Sequence, residues 1–151
     1  MNYEQALHKS AAYCSSSEHC ISELKEKLDK WEVEPLDQMK IINYLKQEKY
    51  IDEVRYAVAF TKDKFRYNKW GKIKIAMALR LKGINSEIIS GAMSAIDDEE
   101  YNQMIIKLIK DKERSIKFNN QYERQGKILR FMSGRGFETE AVIRLISKQD
   151  K

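Results

Sequence analysis

LKGINSEII, residues 81–89, ends one helix and begins the next. Gly83 follows an apolar run with helical spacing, where a left-handed residue stops a helix. Asn85 precedes a second such run, as an N-cap does. The order is glycine, apolar residue, two polar residues, glutamate. It returns in SGRGFETEAV, residues 133–142, around Gly136.

Working outward, the similarity extends to the helices on either side. Leu24, Leu28 and Val33 recur 51 residues later as Ile75, Leu79 and Ile84, and 53 residues later again as Ile128, Met132 and Phe137. Ile51-Asp52-Glu53 with Tyr56 parallels Ile96-Asp97-Asp98 with Tyr101. The first copy fits worst, since it has Glu32 where the others have glycine. Strand signals are nearly absent: there is little period-2 alternation and no Asn-Gly or Asp-Gly turn. The spacing predicts about nine helices, near 2–14, 17–30, 35–48, 52–67, 70–82, 86–95, 98–119, 122–134 and 138–148. Ser15 to Glu18 has capping-box spacing for the second of these, and Pro35 suits the first turn of the third. The expected fold is all-α, with three tandem three-helix repeats over residues 1–49, 50–96 and 97–151. The third has a longer first helix or loop. Each repeat is too small to bury its own apolar faces well, so neighbours must stack into an elongated, curved array.

The chain has 151 residues, 42% apolar and 34% charged, with one proline and six glycines. That is enough apolar material for a core and too little Pro/Gly for long linkers. No apolar run approaches a membrane span. No secretory signal opens the chain, and two cysteines are too few for a disulfide scaffold, so the cytoplasm is the expected location. The net charge of +5 is uneven. Residues 50–96 alone carry 9 basic and 4 acidic groups. From Lys62 to Lys82 there are eight cations, Lys62, Lys64, Arg66, Lys69, Lys72, Lys74, Arg80 and Lys82, against the single acid Asp63. Such a concentrated field points to a polyanion or an acidic protein surface. Lys62, Arg66 and Lys69 have the spacing of one helical face. Lys72 and Lys74 open a helix, where cations oppose the dipole, so an anionic partner gives them a reason. Tyr67 and Trp70 lie among the charges. They have the chemistry to stack on bases or pack on a protein, and Trp70 is expected to pack into the core.

The run Tyr50-Ile-Asp52-Glu-Val-Arg55-Tyr56-Ala57, then Lys69-Trp-Gly71, then Leu79-Arg80-Leu-Lys82-Gly83-Ile84, resembles the RecX family, bacterial regulators of the recombinase RecA. Glu53 departs conservatively from the Asp usual there. The likeness continues at Gly136-Phe137 and, more weakly, at Ala6-Leu7 and Glu23-Leu24. It implies a monomeric, non-enzymatic modulator, most simply an inhibitor. Such a protein binds the groove of the RecA nucleoprotein filament and restrains ATP hydrolysis, strand exchange or filament growth in DNA repair, recombination and the SOS response. Weak direct DNA contact is compatible with that; a membrane partner is not. The cluster from Lys62 to Lys82, with Tyr67 and Trp70, is the expected contact surface. Asp52, Arg55, Tyr56, Ala57, Gly71, Gly83, Gly136 and Phe137 are the expected architectural signature. Asp52 is read as an N-cap, and Arg55 as its partner or that of Glu53. Gly83 and Gly136 are read as positive-φ stops. Gly71 lies at a helix start, where close approach of another backbone is one use for glycine.

Other constellations carry less. Asp97 to Glu100 complement a helix start rather than gather a cation. Cys14, His19 and Cys20, with His8, lack the paired spacing of a zinc site. Neither a metal nor a cofactor is expected, and no nucleophile–base pair points to an enzyme. Two alternatives remain: a free-standing helical nucleic-acid binder, and an adaptor for another acidic protein.

Overall fold

A computed structural model describes residues 1–149. Among them are nine helices and no strand: α1 (Tyr3–Ser16), α2 (Ile21–Lys30), α3 (Pro35–Gln47), α4 (Glu53–Arg66), α5 (Lys72–Leu81), α6 (Ser86–Met93), α7 (Asp98–Ser115), α8 (Gln121–Gly134) and α9 (Thr139–Gln149). They fall into three successive triplets, α1–α3, α4–α6 and α7–α9.

The repeat is clearest in the backbone that follows each second helix. After α2, α5 and α8 the chain turns left-handed at Glu32 (φ 58°), Gly83 (φ 81°) and Gly136 (φ 90°). The amide of the next residue then reaches back five positions. Val33 donates to the Leu28 carbonyl (3.0 Å), Ile84 to Leu79 (3.1 Å) and Phe137 to Met132 (3.1 Å). Val33, Ile84 and Phe137 are buried, as are the residues they bond. The left-handed residue's own amide donates to the carbonyl three back, at Asp29, Arg80 and Ser133 (3.0, 2.9 and 2.9 Å), and this double closure satisfies carbonyls that a helix end leaves open and folds an apolar residue under the last turn. The recurring apolar positions and the recurring turn are therefore one device used three times; the turn alone also closes α3, at Lys49 (φ 60°), with the Tyr50 amide on the Leu45 carbonyl (2.9 Å) and Tyr50 left exposed.

Helix starts are equally local. Asp97 accepts from the Glu100 amide (3.0 Å), Asn85 from Ile88 (2.9 Å) and Asn120 from Glu123 (2.8 Å). Pro35 takes the first turn of α3 behind Glu34. Two expected boundaries move. No capping box forms at Ser15–Glu18. The Ser15 and Ser16 hydroxyls instead donate back to the Ala11 and Tyr13 carbonyls (2.8 and 2.7 Å), which prolongs α1. The cap of α2 falls on Cys20, whose amide donates to Glu23 (3.2 Å). The third repeat's extra length divides between a longer α7 and the connection from Ile116 to Asn120.

By packing, the chain gathers into two compact units. One comprises residues 1–60 with 79–92, the other residues 61–78 with those from Met93 onward. The division runs through α4 and α5. In the first unit α1–α3 enclose Ala6, Leu24, Leu28, Ile41 and Leu45, all fully buried. In the second, α7–α9 enclose Ile105, Ile109, Ile128, Met132 and Phe137, and Phe65 and Ile75 are likewise buried.

Candidate partner-binding surface

The basic stretch divides at the boundary of the two units. Lys62, Lys64, Arg66, Tyr67, Lys69, Trp70, Lys72 and Lys74 belong to the second, Arg80 and Lys82 to the first. Within the second unit the connection between α4 and α5 is held tightly. Lys69 adopts a left-handed conformation (φ 57°), and the Trp70 amide donates back to the Lys64 carbonyl (3.1 Å), closing α4. The chain then meets the turn after α8. The Gly71 amide donates to the Arg135 carbonyl (2.7 Å), the Ile73 amide to Gly136 (3.0 Å), and the Arg135 guanidinium to the Asn68 carbonyl (3.0 Å).

This is the close approach that a glycine at position 71 permits. A Cβ on Gly71 would stand 2.3 Å from the Gly136 oxygen, and a Cβ on Gly136 would stand 2.3 Å from that of Lys74. Tyr101 completes the clasp. Its hydroxyl accepts from the Lys72 amide (3.0 Å) and donates to the Glu138 carboxylate. Its ring lies 5.7 Å from Phe65 and 5.4 Å from Phe137. Burial, reinforced by Glu138, pushes the phenol well above its ordinary range.

The clasp fixes where the cations stand. Lys64 and Lys74 both sit over the half-buried Trp70 ring, 5.0 and 4.7 Å from its centroid. Lys72 sits 4.7 Å above Tyr101. Trp70 is thus a platform beneath two ammonium groups rather than a core residue. Tyr67, by contrast, is 81% exposed. Arg66 pairs with Glu100 (3.1 Å), an exposed contact of small energy. Because α4 ends at Arg66, Lys69 leaves the face it would share with Lys62 and Arg66 in a longer helix.

In the first unit all the expected residues but Arg80 are drawn into structure. Lys82 binds Glu23 (3.2 Å), and its carbonyl accepts from the Ser22 hydroxyl (2.7 Å). Burial would raise the Glu23 carboxyl, but hydrogen bonds from His19, the Cys20 amide and Lys82 outweigh it and hold it below the usual range. Arg80 is exposed on the last turn of α5. Asp52 caps α4 through the Val54 and Arg55 amides (3.0 and 3.1 Å). With that carboxylate occupied, Arg55 turns to neither Asp52 nor Glu53. It clamps Glu18 with Nε, 2.7 and 2.8 Å from the two oxygens, and reaches the Lys49 and Tyr50 carbonyls (3.2 and 3.3 Å). Tyr56 and Ala57 are buried behind it.

Among the described residues no group of three or more His, Cys, Asp or Glu side chains is placed to hold a metal ion. His19 is engaged within the fold: it stacks on Tyr13 (3.8 Å) and donates to Glu23 (3.1 Å). Cys14 and Cys20 are free and buried, and burial pushes the Cys14 thiol up to about 11. Among the described residues no helix is long and apolar enough to cross a membrane. Arg135 and Glu138, which sequence reasoning missed, flank Gly136-Phe137, so the glycine was the available marker.

Comparison with known proteins finds relatives of one kind. Residues 52–93 match the domain described as RecX, second three-helix domain. A protein named Regulatory protein RecX from Leuconostoc mesenteroides is 27% identical over 97% of this chain and 56% of its own length. One of the same name from Clostridium beijerinckii is 31% identical over 82% of this chain and 60% of its own length. The chain thus spans little more than half the length of the curated relatives it matches. The crystal structure of RecX from Lactobacillus salivarius superposes with a TM-score of 0.90 at 20% identity, covering 98% of this chain and 96% of that one, and so shares its fold.

Proposed function

The chain belongs to the RecX family, and from that membership we propose that it is a non-enzymatic, cytoplasmic modulator of the recombinase RecA, most simply an inhibitor. The observation that carries the reading is the clasped α4–α5 connection. It fixes Lys64, near the end of α4, and Lys72 and Lys74, at the head of α5, over the rings of Trp70 and Tyr101, without their having to be ordered on binding. Preorganised cations lose little entropy when they meet an anionic surface. In the proposed mechanism they face acidic RecA surface or DNA phosphate in the filament groove. The outer repeats, residues 1–49 and 97–151, reach neighbouring RecA subunits. Bridging them favours one filament geometry over the one that cycles ATP, by differential affinity.

The test is the single-stranded-DNA-dependent ATPase of the host's RecA, titrated with the wild type and with a Lys69→Glu/Lys72→Glu/Lys74→Glu variant. Suppression by the wild type, lost in the variant, supports the reading. An unchanged rate with both sinks it.

A further inference from the structure

A second cationic surface lies in the third repeat, built from residues outside the Lys62–Lys82 stretch. Between Lys110 and Arg130 there are seven cations and three carboxylates. Each carboxylate is already taken. Asp111 pairs with Arg114 (3.8 Å), Glu113 with Arg124, and Glu123 with Lys127 (3.2 Å). Among the described residues no carboxylate pairs with Lys112, Lys117 or Arg130. These three line one cleft of about 440 Å³, with Phe131 as its apolar wall and Lys112 resting 4.6 Å over that ring.

Arg130 also lines a second hollow, of about 500 Å³, along the outer face of α8 with Tyr122 and Gly126. These three stand at i, i+4 and i+8, on one stripe of the helix. Tyr122 is 90% exposed. Gly126 lies mid-helix, where glycine costs about 1 kcal/mol relative to alanine. Nothing in the fold requires it: a Cβ there would meet only the Arg130 guanidinium, at 3.8 Å. The glycine leaves clear space between an unused aromatic face and an unpaired guanidinium.

We propose that this stripe and the cleft beside it bind single-stranded nucleic acid. Lys112, Lys117 and Arg130 hold phosphates, Tyr122 stacks a base, and Gly126 gives the sugar–phosphate backbone room to lie against α8. Cations in a groove with an exposed aromatic beside it are the recurring form of such sites. An acidic peptide would use the cations but leave Tyr122 and the Gly126 gap unexplained, and a duplex would keep its base faces from the ring. The proposal does not rest on RecA, since the naked strand must bind without it.

The experiment is fluorescence anisotropy of a labelled oligothymidylate with the full chain at low salt. Tyr122→Ala weakens binding roughly tenfold. Gly126→Leu weakens it comparably while leaving thermal stability equal or higher, because leucine favours the helix; a folding defect would lower it. The Lys69→Glu/Lys72→Glu/Lys74→Glu variant weakens it less than either. No binding by the wild type, wild-type affinity in either α8 variant, or the largest loss in the triple variant overturns the proposal. So does competition by polyglutamate as effective as that by unlabelled strand, which would assign the surface to an acidic protein instead.

Discussion

The turn after α2 and the turn after α8 have the same backbone and the same closing hydrogen bond, yet one is built on Glu32 and the other on Gly136. The first is exposed. The second has the backbone of Ile73 and the side chain of Lys74 pressed against it. A left-handed residue is therefore not in itself a demand for glycine in this fold. It can be met by a larger residue at a cost of roughly 1 kcal/mol. Glycine becomes necessary where a second segment occupies the space that Cβ would fill. Gly83 stands between the two: its φ is left-handed, but a Cβ would meet nothing within 4 Å. Gly71 is the complement, crowded without a positive φ.

The comparison is broken most forcefully at Gly136. Gly136→Ala adds both the left-handed penalty and a collision with Lys74, and should cost about 3 kcal/mol or more in urea unfolding. Gly71→Ala adds the collision alone and should cost about 2 kcal/mol. If Gly136→Ala costs no more than Gly83→Ala, the clasp is not tight and the separation of conformation from crowding fails.

Tyr101 tests the same clasp chemically. Tyr101→Phe leaves the Lys72 amide without its acceptor and Glu138 without its donor, and should cost roughly 1–2 kcal/mol. It also carries a pH signature. The folded phenol titrates above the unfolded one, so the unfolded chain releases this proton first as pH rises. Stability from this group is full below about pH 10 and falls above it. The burial-raised Tyr56 contributes in the same direction. The alkaline slope of unfolding free energy should therefore be shallower, not absent, in Tyr101→Phe. An unchanged slope would remove Tyr101 from the account.

What the sequence made legible follows the same division. Turns, caps and the apolar residues beside them are local, so Gly83, Gly136, Asp52, Asn85 and Asp97 could be assigned from their neighbours. The partner of Gly71 lies 65 residues away, and no spacing rule connects the two. The same holds for Arg55 with Glu18 and Lys82 with Glu23, where a tertiary contact took a side chain that local spacing would have given to a neighbour or to a partner molecule. Trp70 was misjudged for a related reason. Its ring carries the ammonium groups of Lys64 and Lys74, a pairing that depends on how the connection between α4 and α5 folds and that no local spacing discloses. The basic surface was therefore legible as charge and not as shape.

The smallest effect is the one that sharpens the comparison best. Glu32→Gly should stabilise the fold by somewhat less than 1 kcal/mol. It removes the left-handed penalty of an L-residue, but part of the gain returns to the unfolded chain, whose freedom a glycine increases. Gly83→Ala is its mirror image and should cost about 1 kcal/mol by the same two terms with signs reversed. Neither touches a second backbone, so the two changes should sum close to zero in the double variant, the turns lying in different repeats. A Glu32→Gly variant that is less stable than the wild type would mean that the Glu32 side chain holds the α2 turn in some way its exposed position does not disclose. The first repeat's departure from glycine would then be a selected feature rather than a tolerated one.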